Sequence, residues 1–505
     1  MDRKDKFIQQ IKEGYTFKGD SFVIGGAMLD GEAIPGLHVK VPLATLNRHG
    51  LIAGATGTGK TKSLQVMAEQ LSEKGIPVLL MDLKGDLSGL AKPSPGHPKI
   101  DERMQKIGLE FTPQGFPVEM LSLTGKEGVQ LRATVSEFGP ILLSRILDLN
   151  DTQGGIIAVL FKYADDKKLP LVDLKDLKEL IKWATGAGKK DFQAEYGRLS
   201  TASTGSILRK IVELEQQGAD IFFGEPSFDI HDLMRIDDEG RGIISIIRLT
   251  DIQDKPKLFS TFMLQLLAEI YAKMPEQGDS DRPELVFFID EAHLIFRNAS
   301  KALLEQIEAI VKLIRSKGVG IYFVTQNPRD IPDEVLAQLG LKIQHALRAF
   351  TAKDRKAIKL AAQNFPITEF YDTDEVLTSL GIGEALVSVL GRKGRPTPLA
   401  ATLMRAPMSR MDILEDKELK EIIKASKLRK KYEKVIDKET AYEILKEKIE
   451  KAEEEKEEKK QKRKKEEPGV IEKAMKSSIG KMIIREVTRS LLGVLGLRST
   501  YRRRR

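Results

Sequence analysis

The sequence contains no cysteine, a single tryptophan and no long uncharged apolar run. The lack of cysteine excludes disulfides, thiolate zinc sites and cysteine nucleophiles. The first six residues carry mixed charge and no apolar region follows them, so they do not resemble a signal peptide. No apolar run approaches the roughly 18 residues needed to span a bilayer. We therefore expect a cytoplasmic protein without integral membrane insertion.

The formal net charge of +8 is concentrated near the carboxyl terminus. Residues 468–505 contain ten Lys/Arg and two Asp/Glu, which accounts for the whole excess. Residues 1–467 are formally neutral, so a nucleic-acid surface there would be a local patch or a channel lining. The tail alternates apolar and basic residues at helical spacing, which is typical of an amphipathic helix with one face for a partner.

A complete G-x-x-x-x-G-K-[ST] loop follows the short apolar run Leu51–Ala53 and precedes a helix-like stretch from Ser63. In such a loop, backbone N–H groups surround phosphates, Lys60 reaches the β and γ phosphates, and Thr61 can ligate Mg²⁺. A glycine-rich surface turn is the alternative, but the strand-loop-helix context favours nucleotide binding. The predicted nucleotide-binding residues are Gly54, Ala55, Thr56, Gly57, Thr58, Gly59, Lys60, Thr61 and Lys62.

A second feature is the five-residue apolar run 285–289, which is followed by Asp290 and Glu291. The run is typical of a buried parallel strand. In a P-loop protein, Asp290 would help to hold Mg²⁺ and Glu291 would orient the water that attacks the γ-phosphate. A core strand ending in a solvated acidic turn is the alternative. Because the sequence has no Asn-Lys-x-Asp guanine-reading motif, the predicted cofactors are ATP and Mg²⁺.

At 505 residues the chain is expected to form two or three structural units. Strand-like apolar runs alternate with helix-like stretches, which predicts an α/β fold with an open, mainly parallel RecA-like P-loop NTPase sheet. The later predicted strands are residues 242–249, 285–290, 320–325, 341–350 and 385–390. The predicted segments are a small β element (1–45), the first part of the core (46–125), a helical insertion (126–235), the second part of the core (236–408), a charged helical segment (409–467) and the basic amphipathic tail (468–505).

Polar residues also follow the strand 320–325, where Gln326 could sense the γ-phosphate. Upstream, Arg315 lies among cations near the end of a predicted helix. Such cations also suit the helix dipole, so a purely structural role for Arg315 stays open.

The chain resembles the HerA–FtsK class of ATPases, and within it the YjgR-like bacterial branch of HerA relatives. The stretches that carry the resemblance are residues 48–61, 81–89, 287–293, 315–326, 477–480 and 491–493. Members of the class are hexameric rings that pump DNA through a central channel, so the resemblance implies a homo-hexamer with DNA as its substrate. HerA translocases have a substantial N-terminal β-barrel for partner docking, whereas about 45 residues precede this predicted core.

The resemblance also assigns roles to individual residues. Arg315 occupies the position of an arginine that reaches the γ-phosphate of the neighbouring subunit, and Gln326 that of a polar sensor. Arg348 is a second candidate for the arginine. The predicted catalytic residues are Lys60, Glu291, Arg315 and Gln326, and the predicted metal ligands are Thr61 and Asp290.

The predicted function is an ATP-hydrolysing, ring-forming motor that acts as a DNA translocase or helicase-like ATPase. The main alternative is a regulatory or assembly ATPase that acts on protein partners without moving DNA. A small-molecule kinase fits poorly, because it requires neither Glu291 nor an arginine from a neighbouring subunit.

Overall fold

The computed structural model describes residues 2–278, 280–298, 301–391, 393–434 and 439–463. The predicted tail, residues 468–505, lies outside the described residues. Within the described residues, no helix combines the length and apolarity needed to cross a bilayer.

The described residues contain twelve strands that belong to one sheet. In chain order they are β1 (Ser21–Leu29), β2 (Glu32–Pro42), β3 (Gly50–Ala53), β4 (Val78–Asp82), β5 (Val118–Ser122), β6 (Val129–Gln130), β7 (Ile244–Arg248), β8 (Leu285–Ile289), β9 (Val319–Thr325), β10 (Leu341–His345), β11 (Glu384–Ser388) and β12 (Ala400–Met404). Their order across the sheet is β2-β1-β12-β11-β10-β3-β9-β8-β4-β7-β5-β6.

The described residues also form seventeen helices. They are α1 (Arg3–Gly14), α2 (Lys60–Glu73), α3 (Pro98–Ile107), α4 (Val135–Ile146), α5 (Asp151–Asp166), α6 (Leu174–Thr185), α7 (Lys189–Tyr196), α8 (Thr201–Gln216), α9 (Pro256–Lys273), α10 (Ala292–Asn298), α11 (Lys301–Leu313), α12 (Asp333–Leu336), α13 (Ala352–Ala362), α14 (Thr373–Ser379), α15 (Asp416–Ala425), α16 (Arg429–Tyr432) and α17 (Ala441–Arg463). A 3₁₀ turn, Ile314–Lys317, follows α11.

The sheet has a parallel part and an antiparallel part. All neighbouring strands from β10 to β6 in the sheet order are parallel. Their side chains are almost all buried, as expected for strands covered by helices on both faces. The carboxyl ends of these strands therefore meet at one edge, where α/β proteins bind ligands.

The antiparallel part extends the sheet beyond β10 through β11, β12, β1 and β2. The residues predicted as a small β element before the core thus begin with α1, and their two strands pair into the main sheet. The strand predicted at 341–350 ends earlier, at His345. Just beyond this end, the carbonyl of Ala346 accepts a hydrogen bond from the N–H of Ala55 in the loop after β3.

The chain divides into two compact units. The first comprises Met1–Leu131, Phe228–Pro256 and Leu266–Glu433, and it contains the whole sheet. The second comprises Arg132–Ser227, Lys257–Gln265 and the described residues from Lys434 onward, and it is helical. In the second unit, α17 docks beside α6, where the N–H of Tyr442 donates to Asp176 over 2.7 Å.

Candidate nucleotide site

The loop between β3 and α2 has the geometry of a phosphate cradle. Gly57 and Gly59 adopt φ angles of 77° and 115°, a region that favours glycine and turns successive N–H groups inward. The carbonyl of Ala55 accepts hydrogen bonds from the Thr58 hydroxyl at 2.7 Å and from the Lys60 ammonium at 3.1 Å. The loop is therefore closed around Ala55, with Lys60 at the first residue of α2.

Neighbouring segments hold this loop in place. The N–H of Ala55 donates to Ala346 over 2.8 Å, and the N–H of Gly383 donates to the Thr58 carbonyl over 2.9 Å. A Cβ at Gly59 would lie 3.2 Å from backbone atoms of Gly383. The loop before β11 thus packs directly against the phosphate loop, and this close contact together with the φ angle of 115° disfavours a side chain at Gly59.

His345 lies behind the phosphate loop and is fully buried. Its Nδ1 lies 2.8 Å from the carbonyl of Glu384, so Nδ1 carries the proton, and Nε2 accepts from the Ser63 hydroxyl at 2.9 Å. Burial lowers the pKa of His345 to about 4, and the nearby Lys60 acts in the same direction. The ring is neutral at physiological pH and couples β10 to the first turn of α2.

Asp290 and Glu291 follow β8 at the same edge of the sheet, and both are buried. The N–H of Asp290 donates to Met81 at the end of β4. Burial raises the pKa of Asp290 to about 7, and the negative charges of Glu291 and Asp86 add to this rise. An added positive charge would stabilise the ionised form of Asp290.

Glu291 has an unusual backbone conformation and two cationic or ionisable neighbours. Its φ angle is 48°, in the left-handed region that non-glycine residues seldom adopt. Its carboxylate forms an ion pair with Lys84 and lies 3.0 Å from Nδ1 of His293. Partial burial lowers the pKa of Lys84, but Glu291 and Asp290 outweigh that effect and the pKa is raised overall.

The loop after β4 contributes a further carboxylate, Asp86, 3.5 Å from the Thr61 hydroxyl. Asp82, the last residue of β4, shapes this loop because its carboxylate accepts from the N–H groups of Gly85 and Leu87 at 2.6 and 3.3 Å. Within the described residues, Oδ2 of Asp290 and Oδ1 of Asp86 are buried without a hydrogen-bond partner. Such oxygens fit a cation.

The site suits Mg²⁺ better than a metal held wholly by the protein. The described part of the chain contains no group of three or more His, Asp or Glu side chains arranged around a metal position. Mg²⁺ in phosphoryl-transfer sites is held by one or two carboxylates together with substrate phosphates and water. Thr61, Asp290 and Asp86 match that requirement, and Asp86 extends the two ligands predicted from sequence.

The remaining predicted site residues lie in two different places. Gln326 is exposed directly after β9, beside the phosphate loop, since the N–H of Gly54 donates to Thr325. Arg348 is exposed after β10, and its guanidinium donates to the carbonyl of Thr378 over 3.3 Å. Arg315 is exposed in the 3₁₀ turn before β9, at the opposite edge of the sheet.

Sequence reasoning missed Lys84, Asp86, His293 and His345. Lys84 and Asp86 lie in the stretch 81–89, which follows a strand that ends in an acid and carries part of the resemblance, but no role was predicted for either side chain. His293 stands in the same acidic motif as Glu291. His345 has no local signal, because its partners Ser63 and Glu384 are distant in sequence.

Two solved structures show the same fold. The plasmid coupling protein TrwB in complex with the ATP analogue ADPNP gives a TM-score of 0.52 at 16% identity, covering 81% of this chain and 94% of that one. A trigonal form of TrwBdeltaN70 with sulphate gives a TM-score of 0.50 with the same identity and coverage. The likeness confirms the predicted α/β P-loop NTPase fold.

Curated relatives point to one family. The DNA double-strand break repair helicases HerA of Saccharolobus solfataricus and Sulfurisphaera tokodaii are 23% and 25% identical to this chain over 357 and 366 residues, each covering 70% of it. The DNA import protein CedB of Sulfolobus acidocaldarius is 24% identical over 387 residues, or 75% of the chain. The chain spans 63% and 64% of the two helicases and 56% of CedB. Residues 29–492 match the helicase HerA-like C-terminal family, and the chain belongs to that family.

Proposed function

We propose that this chain hydrolyses ATP in a ring, most simply a homo-hexamer, and uses the energy to move along DNA. The main support for this proposal is that the phosphate loop and the buried acids Asp290 and Glu291 lie at the same edge of the sheet. The relatives named as DNA repair helicases and as a DNA import protein support DNA as the substrate.

The phosphate loop would bind the nucleotide through its N–H groups and Lys60. Burial lowers the pKa of Lys60 and Lys84 acts likewise, whereas Glu291 and Asp290 oppose the shift. The ammonium group is therefore poorly hydrated, and an added phosphate would be a favourable partner for it. Thr61, Asp290 and Asp86 would hold Mg²⁺, which neutralises phosphate charge when it is bound.

Glu291 would accept a hydrogen bond from the attacking water and orient it towards the γ-phosphate. Its ion pair with Lys84 holds the side chain at this edge of the sheet, next to the phosphate loop. A carboxylate in this position distinguishes hydrolysis from phosphoryl transfer to a small acceptor. We therefore do not favour a small-molecule kinase.

The position of Arg315 supports a ring. The seven-residue strand β9 is about 20 Å long and separates Arg315 from the phosphate loop of its own subunit. An arginine at that edge could complete only the site of a neighbouring subunit, as arginine fingers do. Arg348 is the alternative finger, and Gln326 would sense the γ-phosphate from the end of β9.

The deciding experiment measures ATP turnover with and without single-stranded and duplex DNA over a range of salt concentrations. Stimulation by DNA that weakens with salt is the expected result, because phosphate contacts release counterions. Two results together would instead favour the regulatory or assembly ATPase that acts on protein partners. These are loss of turnover in Glu291→Gln and a wild-type turnover that neither form of DNA stimulates.

A further inference from the structure

The segment that follows β10 connects the phosphate loop to a cationic helix face. Ala346, at the start of this segment, accepts a hydrogen bond of 2.8 Å from the N–H of Ala55 in the phosphate loop. Six residues later the chain enters α13. A short segment of chain therefore lies between the phosphate loop and this helix.

Helix α13 has two chemically distinct faces. Its inner face packs into the core through small and aliphatic side chains, those of Ala357, Ile358, Ala361 and Ala362. Its outer face exposes Arg355, Lys356 and Lys359, which share one side of the helix at spacings of three and four residues. At these positions the exposed surface of α13 therefore carries three cations, and Leu360, which is 38% exposed, lies next to Lys359 in the sequence.

These cations are not neutralised by neighbouring carboxylates. The only acid in the helix, Asp354, accepts from the N–H groups of Phe350 and Thr351 at 3.0 and 2.8 Å and so caps the helix. In the part of the chain that the structure describes, no ion pair engages Arg355, Lys356 or Lys359. Like charges at these spacings destabilise a helix, so the pattern favours a polyanionic partner.

An exposed aromatic side chain precedes this helix by two residues. Phe350 is 88% exposed, although its backbone is fixed by the hydrogen bond to Asp354. Surfaces that bind single-stranded nucleic acid combine cations for the phosphates with aromatic rings on which bases stack. If the partner were instead a protein with a mixed polar surface, binding would require neither the exposed phenyl ring of Phe350 nor three cations without acidic partners.

We propose that the outer face of α13 binds the phosphate backbone of a single DNA strand through Arg355, Lys356 and Lys359, while Phe350 stacks on a base. This inference rests on the proposed function and names the surface that contacts the DNA. The segment before α13 contacts the phosphate loop through the bond between Ala346 and Ala55.

The test measures binding of a fluorescein-labelled oligothymidylate by anisotropy, with the full chain and a non-hydrolysable ATP analogue, at several salt concentrations. The triple variant R355A/K356A/K359A should flatten the slope of log affinity against log salt by about 2, since each lost phosphate contact removes about 0.7. Phe350→Ala should weaken binding roughly tenfold with the slope unchanged.

A matched control is available on α15, which exposes three lysines balanced by three acids within the helix. The variant K417A/K420A/K424A removes the same charge and should keep the wild-type slope. All variants should retain the wild-type unfolding midpoint and oligomer size.

Equal slopes for the α13 triple variant, the α15 control and the wild type would overturn this inference while leaving a DNA motor intact. Loss of the oligomer in the Phe350→Ala variant would also overturn this inference, because the phenyl ring of Phe350 would then belong to a subunit interface. If wild-type protein binds no DNA and DNA does not stimulate its turnover, the proposed function fails and this inference fails with it.

Discussion

The ammonium group of Lys84 forms an ion pair with the carboxylate of Glu291, although the two side chains follow different strands, β4 and β8. The Glu291 side chain is 4% exposed and that of Lys84 is 46% exposed. Lys84 is therefore a partly exposed cation that pairs with a buried carboxylate. This arrangement makes Lys84 a positioning residue for the proposed catalytic base.

Replacing Lys84 by alanine should lower kcat by roughly three- to tenfold, a modest range because the ion pair is partly solvated. Nucleotide affinity should stay close to that of the wild type, and Lys84→Arg should restore most of the turnover. Phosphate release and the affinity for a fluorescent ATP analogue measure the two quantities separately. A large loss of nucleotide affinity with kcat preserved would make Lys84 a phosphate ligand instead.

Glu291→Gln should lower ATP turnover by about 100-fold or more while the nucleotide still binds. The amide keeps the shape of the side chain, but it is a much weaker base towards water. Lys60→Ala is the matched contrast, because it should weaken nucleotide binding itself. Wild-type turnover in the Glu291 variant would show that another group orients the water.

The parallel part of the fold and the centre of the site could be predicted from sequence because their signals are local. The phosphate loop and the strand before Asp290 each combine an apolar run with polar residues at its end. The antiparallel pairing of β1, β2, β11 and β12 into the main sheet could not be predicted in this way. This pairing joins the two ends of the first unit, such as Gly25 with Met404, and local periodicity contains no information about such partners.

The same limit applies to individual side chains. The partners of Arg103 are the carbonyls of Ile382, Gly383 and Met404, which come together only when α3 packs beside the loop before β11. No spacing rule connects such positions. Arg103 nevertheless stabilises the position of Gly383 by donating to its carbonyl, and the N–H of Gly383 in turn contacts the phosphate loop.

Acid should destabilise the protein through His345. Burial lowers the pKa of His345 to about 4 from its ordinary value near 6.5, so the unfolded chain binds the proton first as the pH falls. The stability that the neutral ring contributes is complete above pH 6.5. It is lost progressively as the pH falls from about 6.5 to about 4, by about 3 kcal/mol in total.

Denaturant unfolding at a series of pH values measures this effect. Between about pH 6.5 and pH 4, His345→Gln should lower the number of protons taken up on unfolding by about one. The variant should also have a lower free energy of unfolding at neutral pH. His49 offers a parallel case, since burial lowers its pKa to about 4 and it contacts Val311 and Ile321. An unchanged slope in His345→Gln would mean that the ring is not neutral in the folded state.

Arg315→Ala should leave each subunit able to bind ATP but unable to complete the site of its neighbour, with a loss of turnover of about 10³ or more. The geometry that motivates this expectation is the distance along β9 between Arg315 and its own phosphate loop. Mixing Arg315→Ala chains with Glu291→Gln chains tests it, because each variant is inactive alone. In mixed rings some interfaces pair an intact Glu291 with an intact Arg315, so part of the turnover should return. No recovery despite demonstrated co-assembly would transfer the role to Arg348, and full turnover of the single Arg315 variant would remove the arginine from the mechanism.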